Sequence, residues 1–322
     1  MKTKPVGQTG LSVTELSFGC ASIGNLYREA SEADVEAVLS CAWDAGIRYF
    51  DTAPHYGRGL SEQRLGRFLQ DRPEAVISTK VGRVLSPARA PIAEADGFVA
   101  PAQNDVRYDY SGAGIEESFE QSCARLGRSQ IDILYVHDIG EYTHGVEGNA
   151  PHREAFLGSG YERLVRLKEQ GRIKAFGLGV NECEVCLDVM RNAGPLDVIL
   201  LAGRLTLLDR AAEAELVPEC AKAGTSLVLG GIFNSGILAT GPVEGATFDY
   251  GPASADVLAR VSALQARSEA LGVPLATAAM RFAIQHPASA SVLLGTAKPR
   301  SLIRNLEALN APVPEELQSL FA

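Results

Sequence analysis

A chain of 322 residues, 46% hydrophobic and 21% charged, is long enough for one large domain or two ordinary ones. A net charge of −9 with no basic run argues against nucleic acid or an anionic membrane surface as a partner. No window approaches the ~18 apolar residues of a membrane span, the start "MKTKPVGQTGLSV" has no apolar signal core, and six scattered cysteines read as reduced thiols, so a cytoplasmic protein is expected.

In chain order, residues 3–15 carry turn signals (Pro5, Gly7, Gly10) around short apolar stretches, which predicts a β-hairpin. From residue 16 onward, short apolar runs alternate with amphipathic stretches. Strands are predicted at 16–18, 49–51, 76–80, 131–137, 175–180, 198–201, 226–229 and 291–294, and helices at 33–45, 61–69, 115–126, 161–169, 182–191, 212–223, 255–271 and 299–309. Strands too short and too apolar to have a solvated face, each followed by a helix, are parallel and buried on both sides. Eight such units across 1–322, with no linker between them, predict one α/β domain, a (β/α)8 barrel whose lower end the N-terminal hairpin closes. Residues 83–113 form a connection far longer than a barrel needs, the kind that is either functional or disordered.

Candidate chemistry gathers at the strand ends, where barrels of this type hold their active sites. Asp51 ends the second strand, Lys80 the third and His137 the fourth, with Tyr56 in the loop after the second. A lysine beside a tyrosine stabilises the phenolate, an aspartate keeps the ammonium charged and oriented, and a histidine hydrogen-bonds the reacting oxygen. The set suits proton transfer at a carbonyl or alcohol carbon. Its members taken singly also fit a bland role, as strand-end ion pair or packing. His55 is expected to point away from Tyr56, at a loop or pocket edge, and His144 and His152 to lie in a solvated, glycine-rich loop. Cys183 and Cys186 form a CxxC with no second pair nearby, so no metal site is expected.

The stretches "GIRYFDTAPHYGRGLSEQRLG", "DILYVHD", "GRIKAFGLGVN" and "LLGTAKPRSLIRNLEAL" resemble the aldo-keto reductase superfamily in order and over nearly the whole chain. The resemblance implies a (β/α)8 barrel that binds NAD or NADP without a G-x-G-x-x-G motif, with Tyr56 as proton donor or acceptor, Lys80 and Asp51 tuning it, and His137 orienting substrate. "FGCASIGNLY", "DYSGAGIEESFEQSCARLG" and "AGRLTLLDR" are similar to its aldose and pyridoxal dehydrogenases. They imply oxidation of a cyclic hemiacetal, an aldose of the L-fucose, L-galactose or D-threo type, to a lactone. Pyridoxal oxidation, general aldehyde or ketone reduction, and a non-enzymatic cofactor-binding regulatory subunit are the alternatives.

The resemblance also assigns cofactor contacts. Asn181 keeps the expected bond to the nicotinamide amide, Val180 stands in place of a serine, and Leu205 and Ala202 replace a stacking tyrosine and a glutamine. Gly230, Gly231 and Ser235 allow close approach of a pyrophosphate, and Gly295, Thr296, Lys298, Arg304 and Asn305 lie toward the adenosine end. Gly295 and Ser301 occupy positions that are basic in NADP-specific relatives, which leans the expectation toward NAD. The expected partner is a small sugar or aldehyde.

Overall fold

The eight apolar runs close into a barrel. The computed structural model describes residues 1–321. Its barrel strands are β1 (Leu16–Gly19), β2 (Tyr49–Asp51), β3 (Val76–Val81), β4 (Ile131–His137), β5 (Ile173–Val180), β6 (Val198–Ala202), β7 (Ser226–Gly230) and β8 (Ser289–Gly295). Each pairs in parallel with its sequence neighbour, and β8 closes on β1. The two-residue period of a strand decides which side chains enter the tube. Tyr49, Ile133 and Tyr135 belong to an inner cluster, whereas Phe50, Leu134 and Val136 belong to the outer core packed under the helices. Asp51 and His137 share the parity of Tyr49 and Tyr135, so both are delivered to the inside at the upper rim.

The N-terminal hairpin, Thr3–Pro5 paired with Ser12–Thr14, closes the other end. Val6, Leu11 and Val13 join the inner cluster with Ala175, Val198, Val228 and Ala290. Polar bonds seat it on the strand starts: the Gly7 amide donates to Ser226 Oγ at 2.8 Å and Lys4 Nζ to the Ser289 carbonyl at 2.7 Å.

Three segments depart from the sequence reading. Residues 83–113 are ordered, built from Arg83–Pro87 paired with Asn104–Tyr108 and from a small hairpin, Glu94–Ala95 with Phe98–Val99. The small hairpin reaches the loop after β1, where the Tyr27 amide donates to the Gly97 carbonyl at 2.7 Å. The expected glycine-rich loop around His144 and His152 is a helix, Glu141–Ala155. It carries Gly145 at φ 68 and Pro151 inside, and tertiary bonds hold it: Asn149 Oδ1 accepts from the Gly140 amide, and Arg153 pairs twice with Asp188. An unanticipated helix, Leu275–Gln285, precedes β8. No helix of the described residues is long and apolar enough to cross a membrane.

Candidate active site

Asp51, Lys80, Tyr56 and His137 meet at the upper mouth of the barrel. Lys80 spends its three ammonium protons on Asp51 Oδ2 (2.7 Å), the Thr52 carbonyl (2.8 Å) and the Tyr56 hydroxyl (3.1 Å). Ser78 Oγ donates to the other Asp51 oxygen at 2.6 Å, so a carboxylate with no solvent exposure is satisfied on both sides. Burial works to lower the Lys80 pKa, but the charge and hydrogen bond of Asp51, with Tyr56, hold it above the ordinary lysine value. The ammonium therefore stays charged.

Tyr56 opens the 3-10 turn Tyr56–Gly59, and the residue directly after it has to be a glycine. Gly57 sits at φ 61, and a Cβ there would come within 2.4 Å of the Gly24 carbonyl oxygen. Burial pushes the Tyr56 phenol up to about 12; Lys80 pulls the other way, and Asp51 adds to the rise. Lys80 thus stabilises the phenolate as expected, but desolvation outweighs the ammonium and the net shift is upward. The Tyr56 ring stands perpendicular to that of His137, with centroids 5.8 Å apart.

His137 is held by its backbone. The Tyr110 hydroxyl donates to its carbonyl at 2.8 Å and contacts His144 Nε2 at 3.0 Å. Gly82, at φ 99, clears the space, since a Cβ there would lie 2.3 Å from the Tyr110 ring. His144 and His152 are therefore not a solvated pair: their rings meet at a tilt, with centroids 4.4 Å apart, behind the site. His55, expected to point away from Tyr56 at a loop or pocket edge, lines the cavity with its ring 5.7 Å from that of His137.

The cavity, about 380 Å³, is walled by Tyr56, Lys80 and His137 and, on the apolar side, by Gly179, Val180, Leu200 and Ala202. Leu205 offers no surface to it, being 1% exposed in the outer core. Asn181 is at the mouth, where its amide donates to the Tyr250 hydroxyl at 3.1 Å. Tyr250 rides on a hairpin, Thr247–Phe248 with Gly251–Pro252, tied down by Arg204 to Asp249 at 3.0 Å and by the Tyr250 amide to Ser235 Oγ at 2.9 Å. Sequence patterns gave no sign of Tyr250, nor of Asp96 and Phe98, which the hairpin of the 83–113 connection lowers into the cavity.

Gly230 ends β7, and Gly231 and Ser235, both exposed with φ 59, lie in the turn that follows. Asn234 anchors that turn, accepting from Thr206 and donating to the Gly203 carbonyl. Beyond β8, Thr296 Oγ1 accepts from the Lys298 amide, and Arg304 and Asn305 follow on the helix Pro299–Asn310. Lys298, Arg300 and Arg304 are exposed and make no ion pair among the described residues. An apolar wall, an amide at the mouth, a positive-φ turn and free cations beyond β8, where barrels often hold phosphate, suit a nicotinamide dinucleotide. No three His, Cys, Asp or Glu side chains of the described residues converge as a metal site.

The Aldo/keto reductase family model matches residues 15–319. The chain belongs to the aldo/keto reductase family. This aldo/keto reductase is 42% identical to pyridoxal 4-dehydrogenase of Microbacterium luteolum, over 97% of its own length and 94% of the relative's. It is 38% identical, with the same coverage, to D-threo-aldose 1-dehydrogenase of a Pseudomonas species. Among solved structures, the holo form of an aldo-keto reductase from Bacillus halodurans superposes with a TM-score of 0.75 at 25% identity, covering 100% of this chain and 97% of that one. An NAD(P)-dependent oxidoreductase follows from this membership.

The family site brings a measurable acid sensitivity. Burial first, then nearby Arg83 and Lys80, push His137 far below the ordinary histidine value and His55 to about 3. Both rings are neutral when folded, while an unfolded chain protonates them near 6.5. Stability is then fully present above pH 6.5 and is lost as pH falls toward 3. Each excluded proton contributes about 1.4 kcal/mol per pH unit in that window. Urea midpoints measured from pH 7 to 4 should fall steeply, and less so in His55→Gln. Equal slopes in the two proteins would mean that His55 is protonated in the fold.

Proposed function

We propose that this aldo/keto reductase oxidises the anomeric hydroxyl of an aldose to a lactone. The observation that carries the reading is the Asp51–Lys80–Tyr56 chain of bonds at 2.7 and 3.1 Å opposite a neutral His137. A bound oxidised nicotinamide would supply the acceptor for the hydride. Tyr56 Oη takes the proton from the anomeric hydroxyl as its C–H bond breaks and the C=O bond forms. Lys80 stabilises the phenolate that must be present first, and Asp51 fixes the ammonium. His137, neutral and lining the cavity, hydrogen-bonds the reacting oxygen. Asn181 is the residue for the carboxamide, Val180, Leu200 and Ala202 for the ring face, Gly230, Gly231 and Ser235 for the pyrophosphate, and Gly295, Thr296, Lys298, Arg304 and Asn305 for the adenosine end.

The 42% identity to pyridoxal 4-dehydrogenase favours a second reading, oxidation of pyridoxal through its cyclic hemiacetal, which requires the same proton and hydride transfers. Assays of L-fucose, L-galactose, D-arabinose and pyridoxal with both oxidised cofactors separate the two. Turnover of pyridoxal alone would overturn the aldose reading, and turnover of none would overturn both.

NAD is the proposed cofactor, used at least as efficiently as NADP. Gly295 and Ser301 supply no charge for a 2′-phosphate. Each missing charge-assisted contact is worth about 1.5–3 kcal/mol, a tenfold or greater loss of preference. The measurement is kcat/KM for both oxidised cofactors in the native protein and in Arg304→Ala. An NADP preference above about tenfold that collapses in the variant would identify Arg304 as the phosphate clamp.

A further inference from the structure

Cations around the cavity fall into two sets. Four near its walls are neutralised: Lys80 by Asp51 (2.7 Å), Arg83 by Asp138 (2.5 Å), Arg58 by Asp96 (3.2 Å) and Arg204 by Asp249 (3.0 Å). Beyond β8, Lys298, Arg300 and Arg304 have no such partner among the described residues. The wall itself carries one cation, Lys80, whose protons are all committed, and two carboxylates, Asp96 and Asp138. An anionic group placed against it meets two carboxylates, each already paired, and no uncommitted donor cation.

Asp138 is the better placed carboxylate. It follows His137 directly at φ 50, a left-handed conformation that aspartate tolerates better than most residues. Its amide donates to the Gly179 carbonyl at 2.9 Å, and this turn brings Oδ2 to 3.4 Å from His137 Nε2. Arg83 also binds Oδ2, which leaves Oδ1 of a side chain 20% exposed on the cavity wall for a donor from the substrate. His137 Nδ1, in a residue only 6% exposed, has no partner either. Carboxylate oxygens accept hydrogen bonds from hydroxyl or protonated nitrogen donors and cannot donate to a phosphate or carboxylate.

We propose that Asp138 is a specificity-determining residue that admits hydroxylated or cationic substrates and excludes anionic ones, such as phosphorylated sugars, uronic acids and carboxylated aldehydes. This rests on the proposed reading only in placing the reacting carbon beside Tyr56 and His137. Burial raises the Asp138 pKa above the ordinary aspartate value, while Arg83, which pairs with it directly, and Lys80 favour its charged form.

The test compares kcat/KM for neutral and anionic partners of one skeleton, 4-nitrobenzaldehyde against 4-carboxybenzaldehyde in reduction and an aldose against its uronic acid in oxidation. The native protein should favour the neutral member by about 100-fold or more, since like-charge juxtaposition is strongly unfavourable. In Asp138→Asn, which leaves the Arg83 charge beside the wall without its carboxylate partner, the preference should shrink at least about tenfold, with an absolute gain for the anion. Arg83→Gln should move the preference the opposite way, whereas a general folding defect would lower both members alike. Equal use of both members by the native protein, or an unchanged ratio in Asp138→Asn, overturns the proposal. Reduction of the aldehydes does not depend on sugar oxidation. Charge discrimination without aldose turnover would therefore count against the aldose reading and uphold this one.

Discussion

Tyr56→Phe is expected to lower kcat for oxidation by at least about 10²-fold, the lower end of what a general base contributes. The substitution removes one oxygen and keeps the ring, so packing against His137 at 5.8 Å and Phe98 at 6.2 Å survives. The residues proposed for the dinucleotide are untouched, and its affinity, followed by quenching of protein fluorescence, should stay within about threefold. What disappears is the group that takes the proton and that Lys80 contacts at 3.1 Å. With the phenol raised to about 12, the native oxidation rate should climb with pH, and this limb should be missing from the variant. Near-native turnover in Tyr56→Phe would mean that another group is the base.

Lys80→Met should act on stability and rate together. Asp51 has no solvent exposure, and losing the ammonium leaves a buried carboxylate with Ser78 as its remaining side-chain partner. Breaking a buried pair from one side costs about 3–5 kcal/mol. The phenolate loses the one cation beside it, so the pH limb of kcat should move upward and turnover at neutral pH should drop. Adding Asp51→Asn separates the effects: the double variant should regain most of the lost urea midpoint without regaining the rate. A kcat limb at the native pH in Lys80→Met would show that the lysine does not tune Tyr56.

The eight strands were readable because residues such as Ile131–His137 are apolar on both faces, a pattern that only a doubly covered strand needs. Asp51, Lys80 and His137 stood out for the opposite reason, as polar residues at the ends of those runs. The helix Glu141–Ala155 was not readable, because its glycines, its proline and its two-sided polarity hide the period, and distant partners such as Asp188 hold it. The direction of the His55 ring was not readable either. It depends on the 3-10 turn at Tyr56–Gly59 and on Phe98, whose ring meets it edge-on at 5.3 Å, 43 positions further along the chain. Tyr250 and Asp249 reach the mouth through ion pairing with Arg204, which no local pattern encodes.

The hairpin under the barrel turns a tube into a blind alley. Because Val6, Leu11 and Val13 fill one end, everything that reaches Tyr56 comes and goes through a single doorway. Two visitors sharing one doorway must queue. Whichever sits deeper has to arrive first and leave last, and the order of traffic is set at the end of the molecule where no chemistry takes place.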